Sequence, residues 1–460
     1  LEQKENNMSS EISVKKAKKM GVLALTLVTA SNMMGSGVFL LPTNLGSIGA
    51  ISIFGWIITI LGVMALALVF AKTSLIHERI GGIVAYSRDA FGPFVGFQST
   101  VAYWVSAWIG NVALLVAGVG YLAYFFPILK DPTVGTTYSC IVAIAILWIY
   151  VFLSSFGAKV AGSAQSFTAL CGLAVILGVG IFGWFYFKPE TYLEVINDTG
   201  NSNFSAIIAA ASLALWGFLG VESAVVSTGQ VENPEKTVPK ATIYGLLIAA
   251  VCYVASSTVI AGIIPHEVLK NSSAPFADAV KYMFDSELAG SIASALSILA
   301  CFGSISGWFI LQSEAPRAAA ESGLFPKWFA ELNKNDVPMK SLIFTAVLMC
   351  CVLLLTASPN LAEQFQIVIL MSVYCSLLPY LYAITALPIL WTAKKLKKDG
   401  NYKWHTLLVL ISILYCMFAL VGSGADSIFW GTLLVTFMIP VFTFPALKLI
   451  NNKELDVKID

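Results

Sequence analysis

The chain has 460 residues, of which 58% are hydrophobic and only 12% are charged, with a mean hydropathy of +0.81 and a formal net charge of +1. Soluble domains carry about 25% charged residues. This composition therefore excludes a water-soluble globular protein and predicts an integral membrane protein. The small net charge argues against nucleic acid as a partner.

Long apolar segments dominate the chain, and about 20 apolar residues suffice to span a bilayer as a helix. The charged connectors 72–94, 265–287 and 316–340 are expected to hold short surface helices. The sequence predicts twelve spans, at 21–45, 51–71, 95–126, 136–156, 162–187, 205–229, 240–264, 288–315, 341–357, 364–392, 405–423 and 427–449.

The distribution of Lys and Arg between alternate connectors predicts the orientation. If the N-terminus is cytoplasmic, 23 of the 27 basic residues lie on inner segments. The outer segments hold only Lys130, Lys188, Lys270 and Lys281. Cytoplasmic loops of membrane proteins carry such an excess. The asymmetry supports the count of twelve spans and predicts that both termini lie in the cytoplasm.

Two of the predicted spans carry glycines in their interior. The first reads "NMMGSGVFLLP" at 32–42, and the sixth reads "LALWGFLGVESAVV" at 213–226. The commoner explanation of such glycines is close helix packing through small residues. Interruptions at equivalent places five helices apart, however, are typical of the binding site of a secondary transporter. No residue-level identity between the two halves supports the repeat.

An unwound helix exposes backbone groups that a bilayer cannot satisfy, so they must line a polar cavity. The N–H groups at a half-helix start suit a carboxylate, and the carbonyl groups at a half-helix end suit an ammonium. Together these preferences describe an amino acid. Glu222, just past the second interruption, is the acidic residue placed well inside a span.

Four motifs resemble the amino acid–polyamine–organocation superfamily: "MMGSGVFLLP" (33–42), "LWGFLGVESA" (215–224), "VENPEKTVPKAT" (231–242) and "ESGLFPKWF" (321–329). Residues 101–132 and the motif "FGSISGWFILQ" (302–312) are similar to the basic amino acid/polyamine antiporter branch, most of all to arginine/agmatine exchangers. The similarity covers nearly all of residues 19–450.

This resemblance implies an all-α transporter of twelve membrane helices that works by alternating access and forms a homodimer. Helices 1–10 (20–392) would form a five-plus-five inverted-repeat core in which helices 1 and 6 are discontinuous. Helices 11 and 12 (393–450) would supply the dimer contact. Residues 1–19 and 451–460 would be cytoplasmic tails.

The resemblance also implies where the amino-acid end of a substrate binds. Ser36 and Gly37 match positions that bind the carboxylate. Met33, Trp216 and Leu219 match positions whose backbone carbonyls receive the α-ammonium.

Further positions match the side-chain end of the substrate. Trp308 matches the tryptophan over which the cationic head or stem packs, a contact that contributes ~2 kcal/mol when desolvated. The distal-pocket positions are Ser106, Ala107, Asn111 and Ser372.

Gating is implied for four residues. Tyr103, Trp216 and Tyr380 match gating aromatics, and Glu222 matches an acid linked to gating and pH response.

Three departures separate the chain from arginine/agmatine exchangers. Ser106-Ala107 replaces an alanine-cysteine pair, Leu114 replaces a methionine, and Val84 replaces a gating tyrosine. The first two touch the distal pocket and weaken the choice of arginine over lysine or ornithine.

Each site residue also has a structural explanation. A tryptophan such as Trp308 is most often core or an interface anchor. Asn111 could bond a neighbouring helix, and Glu222 could be a neutral buried acid. Ionisable groups in the membrane are functional by default, however.

The sequence therefore predicts exchange of an external cationic amino acid for its internal decarboxylation product. Arginine for agmatine is the preferred pair, and the resemblance implies a role in acid resistance. Lysine/cadaverine or ornithine/putrescine exchange is the nearest alternative. An ion-coupled symporter would need a cation site, for which Ser304 and Ser306 are candidates. A channel would need a polar lining that these spans lack.

We expect neither an enzyme nor a cofactor, because no nucleophile–base pair is evident. His77, His266 and His405 are scattered and predict no metal site.

Overall fold

The structure is a computed structural model that describes residues 20–34, 38–77, 82–226, 231–321, 323–443 and 446–447. These residues are largely helical. The extended pairing found among them is one isolated parallel bridge between Met20 and Val231. The predicted all-α class is therefore confirmed.

The described residues form the following α-helices in chain order. They are α1 (Val22–Met34), α2 (Leu41–Gly46), α3 (Ser52–Ile76), α4 (Gly82–Phe91), α5 (Pro93–Leu122), α6 (Gly135–Ser154), α7 (Ala158–Phe182), α8 (Pro189–Tyr192), α9 (Asn203–Trp216), α10 (Ser223–Val226), α11 (Pro234–Ile263), α12 (His266–Leu269), α13 (Pro275–Phe284), α14 (Glu287–Glu321), α15 (Met339–Leu355), α16 (Leu361–Ala393), α17 (Gly400–Gly422) and α18 (Gly424–Phe437).

Within the described part of the chain, nine helical segments are long and apolar enough to cross a membrane: α3, α5, α6, α7, α11, α14, α16, α17, and α18 together with the 3-10 turn that follows it (Gly424–Phe442). The helices α1, α9 and α15 are apolar but shorter. Each of the twelve predicted spans overlaps one of these helices, although most of the helices begin or end outside the predicted bounds. The helices α4 and α13 lie in the connectors 72–94 and 265–287, where the charge pattern predicts surface helices. The inverted repeat itself stays a prediction.

The outer surface of the helical bundle is apolar. Large side chains such as Leu355 (74% exposed), Leu414 (71%) and Phe437 (77%) point away from the protein. Water would make such a surface costly, whereas acyl chains of a bilayer are as apolar as these side chains. The helix surface therefore supports the membrane assignment that the composition predicts.

Helix α5 forms the centre of the bundle. In its most apolar window 94% of the residues are buried, the highest share among the nine long helices of the described residues. The longest interfaces of α5 are with α14 on one side and α16 on another. Residues on α5 therefore contact both of these helices.

The interruption predicted in the sixth span is confirmed. Helix α9 ends at Trp216, and the next hydrogen bonds run from residue i to i−3, as in Leu219 N to Trp216 O (3.2 Å). Gly220 has φ +100°, a value that suits glycine. A new helix begins at Ser223.

The first span is interrupted as well. Helix α1 ends at Met34, residues 38–40 are not helical, and α2 begins at Leu41 with Pro42 in its first turn. Residues 35–37 lie outside the described residues. The two interruptions lie side by side, because a Cβ on Gly220 would stand 3.3 Å from the carbonyl oxygen of Asn32.

Candidate functional site

A cavity lies between α5, α14, α16 and the segment that follows α9. It contains about 420 Å³ of space that no atom fills, part of which is open to the outside of the protein. Its walls are Tyr103, Ser106, Ala107, Gly110, Leu114, Trp216, Leu219, Glu222, Trp308, Ser372, Ser376 and Tyr380.

Most of the residues that the sequence singled out meet at this cavity. Tyr103, Ser106, Ala107, Trp216, Leu219, Glu222, Trp308, Ser372 and Tyr380 all line it. Their roles stay predictions, because the geometry gives their positions and not their ligand.

Four of the predicted residues are not among those that line the cavity. Met33 is buried in α1, and Asn111 is buried beside the cavity wall. Ser36 and Gly37 lie outside the described residues. The predicted carboxylate end of the site is therefore not described.

Gly110 and Ser376 line the cavity although the sequence did not single them out. The signal for both was helical spacing. Gly110 lies four residues before Leu114, and Ser376 lies four residues after Ser372, so each shares a face with a residue already chosen.

Glu222 is the one acidic residue among the cavity walls that the structure describes, and three donors converge on its carboxylate. Tyr380 donates its hydroxyl to Oε2 (2.7 Å), Tyr103 donates to Oε1 (3.1 Å), and the N–H of Gly220 donates to Oε2 (3.2 Å). Each of the three contacts places a hydrogen-bond donor against a carboxyl oxygen that can accept it. The network also ties the interrupted segment to α5 and α16.

Hydroxyl groups form another part of the wall, where α5 meets α16. Ser106 Oγ lies 3.0 Å from Ser372 Oγ and also contacts Ser376 Oγ. Ser372 donates to the backbone oxygen of Ser106 (2.8 Å). Each hydroxyl has two acceptor lone pairs, so the cluster can still accept hydrogen bonds from a cation.

Two tryptophans give the cavity its aromatic walls. Trp216 is the last residue of α9 and is 6% exposed. Its ring lies over Gly110, where an added Cβ would stand 3.1 Å from Trp216 Cη2. Trp308 lines the cavity from α14. Indole faces attract cations, which suits an amine substrate.

A polar cluster also lies on the predicted outer side. His266 Nε2 is 2.9 Å from Asp198 Oδ2, and Glu267 is near enough to both that their ligand atoms lie within 4.8 Å of one another. The sequence did not predict this grouping. Lys270 contacts Asp198 (3.3 Å) and Glu267 (2.7 Å), so its ammonium balances the carboxylates.

This cluster acts as an ion-pair network between connectors. The hydrogen bond to His266 lowers the pKa of Asp198 below its ordinary value, and the contact with Lys270 adds a smaller effect in the same direction. The contact with Glu267 raises the pKa of Lys270. Both shifts favour the charged forms, so we assign no metal here.

Apolar helices long enough to cross a membrane, two helix interruptions and a cavity lined by the second of them indicate a polytopic membrane protein with a small-molecule site. Residues 20–444 match the family model described as amino acid permease. The chain therefore belongs to the amino acid permease family, which confirms the superfamily resemblance of its motifs.

Relatives match over nearly their whole length. The putrescine transporter PotE of Haemophilus influenzae is 36% identical over 423 residues, covering 92% of this chain and 96% of the relative. The putrescine transporter PotE of Escherichia coli K12 is 36% identical over 428 residues (93% and 96%). The cadaverine/lysine antiporter of the same strain is 36% identical over 433 residues (93% and 94%).

Proposed function

We propose that this protein is a secondary transporter that exchanges an external basic amino acid for the amine made from it by decarboxylation. The observation that carries the proposal is the cavity itself, which combines a carboxylate, hydroxyl groups and two indole rings. Such a site suits an elongated cation. The family and the printed functions of the relatives support the same class of substrate.

We place substrates that end in an ammonium ahead of those that end in a guanidinium. The cluster of Ser106, Ser372 and Ser376 offers single oxygens in several directions, which suits the three donors of an ammonium. A planar guanidinium is better matched by a bidentate acceptor. Relatives named for putrescine and cadaverine agree with this order. Lysine/cadaverine or ornithine/putrescine exchange thus replaces arginine/agmatine as our first choice.

The substrate would lie with its carboxylate toward the interruption between α1 and α2, where Ser36 and Gly37 belong. Its α-ammonium would face the end of α9, where carbonyl groups lose their helical partners. The stem would pack on Trp308. Trp216, Tyr103 and Tyr380 would close the cavity, and Glu222 would hold both tyrosines in the closed arrangement.

Exchange is obligatory in this mechanism. An empty cavity leaves Glu222 and the half-helix ends without a cation or carboxylate, so moving it through the apolar bundle is unfavourable. Either substrate removes that cost when it binds. The carrier must therefore bind the amine on the inside before it can return to the outside for the next amino acid.

The charge balance gives the physiological role. The amino acid enters with charge +1, decarboxylation consumes one proton and releases carbon dioxide, and the amine leaves with charge +2. Each cycle exports one positive charge and removes one internal proton. We therefore propose an acid-resistance role in the cell inner membrane, with both termini cytoplasmic and a homodimer formed through α17 and α18. Labelling of single-cysteine variants in the tails from either side tests the orientation.

A counter-substrate panel in proteoliposomes tests the function. Vesicles loaded with lysine, ornithine or arginine are given labelled cadaverine, putrescine or agmatine, with and without sodium and proton gradients. We expect the two ammonium-ended pairs to exchange fastest and no uptake into empty vesicles. Uptake into empty vesicles along an ion gradient would instead identify a symporter. Faster exchange of agmatine than of the other amines would make arginine/agmatine exchange the preferred function.

A further inference from the structure

A second large space lies on the surface of the bundle, as a groove between α7, α13 and α14. It contains about 690 Å³ of space that no atom fills, part of which is open to the outside of the protein. Its wall residues fall within 174–182, 280–284 and 289–296, and all those in the described part of the chain are apolar. The groove and the substrate cavity have no described wall residue in common. The groove is therefore a separate feature that faces the acyl chains of the bilayer.

The groove lies at the depth of one leaflet. On α7 it extends from residue 174 to residue 182, which is about 12 Å of helix. Half of the hydrocarbon core of a bilayer is about 15 Å thick. Three exposed aromatic residues lie at the end of the groove on the predicted outer side, namely Trp184, Tyr186 and Tyr282. Because tryptophan and tyrosine are enriched at membrane–water interfaces, this end lies at the level of the lipid headgroups.

Gly178 marks space in the groove that the protein itself does not fill. An added Cβ on Gly178 would have no atom within 4 Å, whereas one on Gly172 of the same helix would stand 2.8 Å from Ala300. An empty space costs the atoms around it their dispersion contacts. Water does not remove this cost, because an ordered water needs two or more polar partners. The groove therefore requires an apolar occupant from the membrane.

A pair of opposite charges stands at the outer end of the groove. Lys281 Nζ lies 2.5 Å from Glu287 Oε1, and the two side chains are 43% and 71% exposed. Lys281 follows Val280, and Glu287 precedes Ala289 by two residues, and both of these neighbours line the groove. An added Cβ on Gly290 would stand 3.1 Å from Lys281 Cβ, so the lysine stem lies against the first turn of α14. A headgroup that carries a phosphate and an ammonium complements this pair.

We propose that the groove is a binding site for a zwitterionic phospholipid of the outer leaflet. One acyl chain fills the groove, the phosphate contacts Lys281, and the ammonium contacts Glu287. The lipid holds the outer end of α14, the helix that carries Trp308, against α7 and α13. A second copy of this chain is a poorer occupant, because the proposed dimer contact lies on α17 and α18. The site is independent of which substrate the protein exchanges.

Replacing Gly178 by leucine tests the acyl-chain part of the site. The new side chain occupies the groove, and leucine favours a helix more than glycine does, so the variant should fold. The assay is native mass spectrometry of the detergent-purified protein, titrated with palmitoyl-oleoyl phosphatidylethanolamine. We expect the wild type to bind this lipid and Gly178→Leu to bind it about tenfold more weakly, because the chain then overpacks the groove. Ala145→Leu is the matched control, since Ala145 is an exposed alanine of α6 that does not line the groove.

A second variant tests the headgroup part of the site. Glu287→Gln removes the negative charge and keeps an oxygen that can accept from Tyr124, as Glu287 Oε2 does (3.1 Å). We expect the wild type to bind phosphatidylethanolamine about threefold more tightly than anionic phosphatidylglycerol, as partly exposed charges contribute modestly. In Glu287→Gln this preference should disappear, because the anionic lipid then meets Lys281 without repulsion.

Two results would overturn the lipid site. The first is wild-type binding of phosphatidylethanolamine by Gly178→Leu, and the second is an unchanged headgroup preference in Glu287→Gln. Light scattering of the same samples gives the oligomeric state. A wild-type dimer that Gly178→Leu converts to monomers would also overturn the proposal, and would assign the groove to a second copy of the chain.

Discussion

Replacing Gly110 by alanine adds one methyl group where α5 faces the ring of Trp216. The new Cβ would stand 3.1 Å from Trp216 Cη2, 3.4 Å from Cζ3 and 3.7 Å from Ser372 Oγ. Carbon atoms prefer separations of about 3.5–4.0 Å. The ring must therefore shift by a few tenths of an ångström away from α5.

Two opposing effects set the change in the free energy of unfolding of Gly110→Ala. Alanine stabilises a helix interior by about 0.5–1 kcal/mol relative to glycine. Overpacking costs about 1–3 kcal/mol, and at this position it falls on the ring that closes the cavity. The two effects together leave a loss of overall stability of between about 0 and 2.5 kcal/mol. Closure over the substrate should weaken by about 1.4 kcal/mol, which corresponds to a tenfold loss.

The assay compares melting temperature in detergent with labelled exchange in proteoliposomes. Gly178→Ala is the matched control, because Gly178 is also helical and an added Cβ there has no atom within 4 Å. We expect exchange to fall about tenfold in Gly110→Ala only, with both proteins folded. Unchanged exchange in a folded Gly110→Ala would refute the role of Trp216 in closing the site.

Two further predictions concern single polar groups. Tyr380→Phe should slow exchange at least tenfold and more than Tyr103→Phe, because a hydrogen bond to a charged group contributes about 1.5–3 kcal/mol and the 2.7 Å contact with Glu222 is shorter than the 3.1 Å one. Initial rates of labelled exchange check the order, and the reverse order would contradict it. Burial, more than any neighbouring charge, raises the pKa of Asp278. The cost of this side chain to folding stability is therefore absent at a pH below its ordinary pKa and grows as the pH rises through the raised pKa. Asp278→Asn, which can still accept from Ser272, should therefore raise the melting temperature at pH 7.5 and lose that gain toward pH 4. A gain that grows on acidification would contradict this sign.

The sequence predicted the membrane class and the helix interruptions because these depend on local patterns, whereas most of the cavity walls were predicted from the resemblance to the antiporter branch. Apolar runs fix the spans, and glycines inside them mark where a helix is broken. The motif around Trp308 placed it at the site. The spans and the interruptions do not depend on how the helices pack against one another.

The sequence could not predict the hydrogen-bond partners that helix packing brings together from distant parts of the chain. The partner of Asn111 is 201 residues away on another helix, and nothing in the local sequence of Gln312 points to that contact. The three donors to Glu222 likewise come from two helices and a turn. His266 seemed isolated along the chain, yet folding brings Asp198 to it across 68 residues.

The most direct test of the account is labelled diamine uptake into proteoliposomes that are either empty or loaded with the matching amino acid, for the wild type and for Trp308→Ala. Trp148→Ala, at a half-exposed tryptophan of α6, controls for the loss of an indole. We predict uptake only into loaded vesicles, retained in Trp148→Ala and abolished in a folded Trp308→Ala. Uptake into empty vesicles, or wild-type exchange by Trp308→Ala, would contradict exchange through this cavity.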